Sequence, residues 1–184
     1  GQIDRVERIP EYVSHAFHTA CAGRPGPVVL ALPEDALYGE AAVADVPRYH
    51  KVRPAPSGKQ MEELEKLLKG ARRPFVLLGG GGWDRETCAK LQKWIETSGL
   101  AVGTSFRCQD LFDNRSPNYA GDVGIGINPK LAQRVKDADV LLVIGARLGE
   151  MTTSAYSLVE VPVPKQTLIH VHAGAEELGR VYRA

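Results

Sequence analysis

The sequence predicts an α/β fold, an open and doubly wound parallel sheet flanked by helices. Three observations carry this. From residue 59 onward, apolar runs of strand length alternate with segments of helical period. Runs such as Val140-Leu141-Leu142-Val143-Ile144 are apolar without a break, as strands covered on both faces are. The run Pro74-Phe75-Val76-Leu77-Leu78 then stops at four consecutive glycines, Gly79, Gly80, Gly81 and Gly82, and a helical pattern follows. Glycines let the backbone turn tightly and approach a ligand, and the next helix offers free N–H groups to a phosphate. The four glycines spell neither G-x-G-x-x-G nor G-x-x-x-x-G-K-[ST], so a plain strand-to-helix turn accounts for them equally well.

In chain order, residues 8–22 predict a helix. Ile9, Val13, Phe17 and Ala20 share one face, and Gly23-Arg24-Pro25-Gly26-Pro27 ends it. Residues 28–32, Val-Val-Leu-Ala-Leu, predict a buried strand. One helix and one strand are too little for a domain, so residues 1–40 read as the closing unit of a preceding α/β domain. Pro33, Pro47, Pro54 and Pro56 punctuate a stretch without sustained period, and residues 41–58 read as an ordered linker. A further domain then occupies residues 59–184.

Ser57 and Gln60 fit a capping box, Met61, Leu64, Leu67 and Leu68 give the next helix its apolar stripe, and Gly70 stops it. After the glycines Asp84 reads as an N-cap. Cys88, Leu91, Trp94 and Ile95 form the buried face of a helix ending at Ser98-Gly99. Residues 100–105 predict a strand with Thr104-Ser105 at its carboxyl end. Residues 106–127, with Pro117, Gly121, Gly124 and Gly126, read as one long functional or wrapping loop. Asn128-Pro129 opens a helix containing Leu131 and Val135. Residues 139–144 and 167–171 predict two more strands, and Ala175-Glu176-Glu177-Leu178 begins another helix.

The 184 residues, 43% hydrophobic and 24% charged, suit a chain able to bury a proper core. Twenty-three basic against 22 acidic residues leave a net charge of +1 with no long basic block, which argues against nucleic acid and anionic membranes as partners. No apolar run approaches the roughly 18 residues of a membrane span. Cys21, Cys88 and Cys108 are widely spaced, odd in number and lack a C-x-x-C, which fits a reducing cytoplasm rather than disulfides or zinc. With no initiator Met and a predicted helix starting at its end, the chain reads as a piece of something longer.

In such a sheet ligands bind outside the carboxyl ends of the strands. Four predicted ends matter: the glycines, Thr104-Ser105, Gly145-Ala146-Arg147 and His170-Val171-His172. Arg147 suits a pyrophosphate, or equally a salt bridge with Glu150 or a neighbouring domain. His170 and His172 share a strand face, but no third or fourth ligand stands at matching spacing, so one packed and one surface histidine is the expectation and no metal site is assigned. His15 and His18 read as structural. Glu62-Glu63 and Glu176-Glu177 read as solvated helix residues. No Ser/His/Asp or Cys/His constellation can be assembled, and no catalytic residue is assigned.

Several blocks resemble thiamine-diphosphate-dependent enzymes of the acetolactate synthase and glyoxylate carboligase type. Gly26-Pro27-Val28-Val29-Leu30-Ala31-Leu32-Pro33-Glu34-Asp35 resembles the end of their pyrimidine-binding domain. Ala71-Arg72-Arg73-Pro74 leading into the four glycines resembles the opening of their central domain. Ala138-Asp139-Val140-Leu141-Leu142-Val143-Ile144-Gly145-Ala146-Arg147-Leu148 resembles its second hallmark, and Ile169-His170-Val171-His172 running to Glu177-Leu178-Gly179-Arg180 its third.

The resemblance implies a parent enzyme of three α/β domains, with a central Rossmann-like sheet of about six strands. The chemistry implied is carboligation or decarboxylation of 2-oxo acids, by a transferase or lyase. Thiamine diphosphate and magnesium would be held outside this chain, by the pyrimidine- and diphosphate-binding domains of the same polypeptide, in a homodimer or tetramer. The activating glutamate and the magnesium motif fall outside as well, so the chain would not be an enzyme by itself. Central domains of this family hold FAD, ADP or nothing. By similarity, adenine-nucleotide contacts would fall on Gly80, Gly81, Gly82, Thr104, Ser105, Gly121, Asp122, Gly145, Ala146 and Arg147. Two departures weigh against flavin. His172 stands where an aspartate is common, and Gly121-Asp122-Val123-Gly124 keeps only the glycines of a family turn. The alternative is a free-standing NAD- or FAD-binding redox module, against which Thr104-Ser105 stands where a ribose-gripping acid is expected.

Overall fold

Five strands form one wholly parallel sheet in the computed structural model, which describes residues 1–184. They are β1 (Phe75–Leu78), β2 (Ala101–Ser105), β3 (Tyr119–Val123), β4 (Val140–Ile144) and β5 (Thr167–Val171), in the order β3-β2-β1-β4-β5. The α/β expectation holds, with five strands rather than about six. The chain enters at the central β1, steps outward to β2 and β3, then returns to the other side of β1 for β4 and β5. Connections therefore leave β1 and β4 in opposite directions, which makes the β1–β4 boundary the switch point of the sheet.

The strands belong to one of two units, residues 1–55 and 56–184. In the second unit α3 (Gly58–Gly70), α4 (Arg85–Ser98) and α5 (Pro129–Lys136) flank the sheet. Side chains of a strand alternate between faces, and the core divides accordingly. Phe75, Leu77, Leu141 and Val143 pack with Leu131 and Val135 of α5 and with Leu148, Leu158 and Val159 on one face. Val76, Leu78, Val102 and Leu142 pack with Ile95 of α4 and with Leu64 and Leu68 of α3 on the other. Burying each such side chain is worth about 1.5–3 kcal/mol, so both faces are firmly held.

The caps read from sequence are present. The Ser57 and Gln60 side chains each accept from the other's backbone N–H. Asp84 accepts from the Thr87 N–H at 2.8 Å, and Asn128 from the Lys130 N–H at 2.9 Å. Other expectations need correction. Gly70 is the last residue inside α3 rather than a stop beyond it. Trp94 lies on the exposed side of α4. The segment from Ala175 makes only a 3-10 turn, Ala175–Glu177. The long loop after β2 contains a strand, β3, that pairs only with β2. An edge strand is covered incompletely and needs no continuous apolar run, so Tyr-Ala-Gly-Asp-Val could serve without looking like one.

Asp139, just before β4, ties down the approach to β1. Its carboxylate accepts the backbone N–H of Arg72 at 2.6 Å, of Arg73 at 2.9 Å and of Val140 at 2.9 Å. Those backbone donors, Arg72 first, hold its pKa below the usual carboxylate range against a smaller opposing effect of burial.

The first unit holds α1 (Ile9–Cys21) and α2 (Glu34–Tyr38), the latter within the stretch following Pro33. Residues 28–32 are not the buried strand expected from their composition. They run extended beside residues 1–3, joined by a single bridge between Gln2 and Ala31. A strand buried on both faces needs a sheet around it, and here Val29 remains 78% exposed. Val13 and Phe17 of α1 are also exposed, and His18 meets the Tyr49 ring edge-on at 4.3 Å.

Candidate functional site

The backbones after β1 and β4 continue side by side for one residue past their strands. The Gly79 N–H donates to the Ile144 carbonyl at 3.0 Å, and the Gly145 N–H to the Val171 carbonyl at 2.8 Å. Gly80 then turns with φ +70° and Gly145 with φ +75°. A Cβ on Gly80 would collide with the Gly145 carbonyl oxygen, and one on Gly145 with the Gly79 carbonyl oxygen. These two glycines are required by the approach of two backbones, with or without a ligand. Gly81 and Gly82 differ. Both are exposed, and a Cβ on either would meet nothing within 4 Å.

The Trp83 indole folds back over this turn, its Nε1–H donating to the Gly79 carbonyl at 2.9 Å. Ser105 is 6% exposed, and its hydroxyl lies where a Cβ on Gly79 would stand. Thr104 points to the other face, wholly buried, and shares a hydrogen bond of 3.0 Å with the Tyr119 hydroxyl. Gly121 and Asp122 lie beside Gly103 and Thr104 in the β2–β3 register. Asp122 is half-buried, and its Oδ1 is shut off from solvent without a hydrogen-bond partner in the protein. Burial pushes this carboxyl above the usual range.

Ala146 is 1% exposed and contributes to the core, and its carbonyl accepts from His170 Nε2 at 2.9 Å. Burial holds the His170 imidazole below its ordinary pKa. Arg147 leaves the same turn with its side chain 57% exposed, and its nearest ionic partner is Glu177 at 3.9 Å. That partner replaces the expected Glu150. Glu177 is itself a correction, since its side chain is 6% exposed and paired with Arg180 at 3.2 Å rather than solvated. His172 is half-buried rather than on the surface, its Nδ1 accepting the Gly174 N–H at 3.0 Å.

The ten sequence-derived residues thus divide. Gly80, Gly145, Thr104 and Ala146 are engaged by the fold. Gly81 and the unpartnered oxygen of Asp122 are not, and Gly82 with its φ of +88°, Ser105, Gly121 and Arg147 with its Glu177 pair lie between the two groups. Sequence reasoning missed Trp83, Tyr119 and Glu177. Trp83 directly follows the glycines and Glu177 stands three residues before Arg180, so both left a local signal. Tyr119 left none, because its strand was not foreseen. No group of three or more His, Cys, Asp or Glu is arranged to hold a metal ion, and no helix is long and apolar enough to cross a membrane.

A parallel sheet in this order, whose switch point is the place for a crevice between the glycine turns, defines a Rossmann-like class of α/β domain. Residues 61–184 match the family model for the central domain of thiamine pyrophosphate enzymes, and the chain belongs to that family. It is 27% identical over 176 residues to an acetolactate synthase of Mycobacterium bovis, a match covering 94% of this chain and 28% of that protein. It is 28% identical over 178 residues to an acetolactate synthase large subunit of Corynebacterium glutamicum, again covering 94% of this chain and 28% of the relative. Among solved structures it resembles an X-ray structure described as a thiamin diphosphate-dependent enzyme from Mycobacterium smegmatis. That likeness has a TM-score of 0.59 at 26% identity and covers 80% of this chain and 28% of the other. The chain therefore spans under a third of the length of these relatives.

Proposed function

We propose that this chain serves as the central domain of an acetolactate synthase-like thiamine-diphosphate enzyme, preceded by the closing segment of a pyrimidine-binding domain in residues 1–40 and a linker in 41–58. In this reading the parent joins or cleaves a carbon–carbon bond next to the carbonyl of a 2-oxo acid. Thiamine diphosphate and magnesium are bound by the flanking domains. The central domain spaces those domains and shapes the oligomer. Support comes from the family match over residues 61–184 and the names of the relatives. The test is a full-length protein assayed for carboligation and decarboxylation of 2-oxo acids with and without thiamine diphosphate. No thiamine-dependent turnover of either kind would sink the reading.

The crevice is proposed to receive the adenine-nucleotide part of FAD or ADP. One observation carries this: the open Gly81-Gly82 backbone stands at the switch point with an exposed Arg147 beyond β4, while Asp122 at the end of β3 keeps an oxygen without a partner. Bare backbone and a guanidinium suit a phosphate, and a carboxylate suits a ribose hydroxyl. The experiment is thermal unfolding with FAD, ADP and NAD. A ligand at 100 times its dissociation constant that binds only the folded state adds about 2.7 kcal/mol. No rise with FAD or ADP would leave the domain architectural.

A further inference from the structure

A second concavity, an open groove of about 570 Å³, lies at the opposite end of the sheet, along the amino ends of β1 and β2. One wall is α5, where Lys130, Gln133, Arg134 and Asp137 recur at the spacing of a single helix face. Leu131 and Val135 turn the other way, into the core. The other wall is the turn carrying Arg72 and Arg73, whose backbone is pinned by the Asp139 carboxylate while its side chains stay exposed.

Four cations, Arg72, Arg73, Lys130 and Arg134, therefore line one groove against a single lining carboxylate, Asp137, which accepts from the Gln133 amide at 2.9 Å. None of the four forms an ion pair. Helix electrostatics explains only one of them. Arg134 lies in the last turn of α5, where a cation complements the helix dipole, but Lys130 lies in the first turn, where a cation opposes it. Arg72 and Arg73 belong to no helix.

We propose that this groove binds a small molecule carrying two or more linked phosphates, its phosphate chain bridging Lys130 and Arg134 to Arg72 and Arg73. The volume falls in the range of small-molecule sites, roughly 300–1,000 Å³. Arginine forks suit phosphate oxygens and leave the site indifferent to most of what the phosphates are attached to. The site is separate from the glycine crevice and does not depend on what binds there.

The test is isothermal titration of the 184-residue chain at low salt with tripolyphosphate, ATP and citrate. One saturable tripolyphosphate site is expected, weakening as salt rises. The double variant Lys130→Gln/Arg134→Gln should bind about tenfold more weakly or worse, as should Arg73→Gln, with unchanged far-UV circular dichroism. Gly81→Ala, in the other crevice, should leave the affinity unchanged. Equal affinity for ATP and tripolyphosphate, both weakened by the α5 variant, would identify the phosphate chain as the whole ligand, and tighter ATP binding weakened by the same variant a nucleotide. Either supports the site. Citrate binding as tightly as tripolyphosphate, no saturable binding, or binding sensitive to Gly81→Ala but not to the α5 variant would overturn it.

Discussion

Replacing Gly80, Gly81 and Gly82 one at a time by alanine separates what the fold asks of the glycine turn from what a ligand asks. Alanine at Gly82 must adopt φ +88° but meets no neighbour. The left-handed conformation costs about 1–2 kcal/mol, partly offset by the reduced freedom of the unfolded chain, so a net loss of about 1 kcal/mol is expected. Alanine at Gly80 carries the same backbone cost at φ +70° and also drives its Cβ into the Gly145 carbonyl. The β1 and β4 turns would have to part, adding roughly 1–3 kcal/mol as overpacking does, for a total of about 2–4 kcal/mol. Gly81 has neither problem, and its replacement should lie between neutral and about 1 kcal/mol stabilising. Urea unfolding followed by circular dichroism measures all three. A Gly80→Ala loss no greater than that of Gly82→Ala would refute the reasoning, because the close approach to Gly145 would then cost nothing. The same Gly81→Ala protein should show a smaller thermal shift with FAD or ADP, since its methyl enters the open side of the turn.

Three further outcomes follow from charges at the sheet ends. Asp139 titrates below its unfolded value, so its stabilisation is complete above about pH 4 and is lost as pH falls through the lower folded value. Asp139→Asn should lower Tm at pH 7, with the gap to wild type closing in acid melts. Asp122 is shifted the other way by burial, so its ionised form weakens the fold above the ordinary carboxylate pKa. Asp122→Asn should raise Tm at pH 7, lose that advantage below about pH 4, and weaken any FAD or ADP shift. Glu177→Gln should cost only about 1 kcal/mol by urea unfolding, because both guanidinium partners are more than half exposed, while freeing Arg147 to tighten ADP binding.

Elements with strong local chemistry were legible in the sequence. β1, β4 and α4 announce themselves through uninterrupted apolar runs, caps and a helical stripe, because each is buried by neighbours within the same unit. β3 was not legible, because what makes Tyr119-Ala120-Gly121-Asp122-Val123 a strand is the edge of β2 beside it. Residues 28–32 failed in the opposite sense. Their composition suits burial, but only residues 1–3 lie alongside them, and a strand assignment rests on partners as much as on residues. At the site, position was readable and allegiance was not. Sequence places Thr104 and Ala146 at strand ends without telling that the Tyr119 hydroxyl engages one and His170 the other's carbonyl.

That division bears on what glycine at a switch point can mean. Two parallel strands whose connections leave in opposite directions bring two turns together, and the turns at Gly80 and Gly145 come close enough to exclude a Cβ from either. A domain that did nothing but space its neighbours would need both glycines, so neither reports on a nucleotide. Gly81 is different, because packing gives no reason for it to lack a side chain. Asp122 goes further: a partly buried carboxylate with one oxygen unpartnered works against the fold, and the same burial raises its pKa. A group that costs stability and sits at the carboxyl edge of the sheet gains a rationale if a hydroxyl arrives to donate to it. Gly81 and Asp122, which the fold leaves unused, with Arg147 held only by its 3.9 Å pair to Glu177, therefore favour the proposed nucleotide more than the glycine run as a whole does.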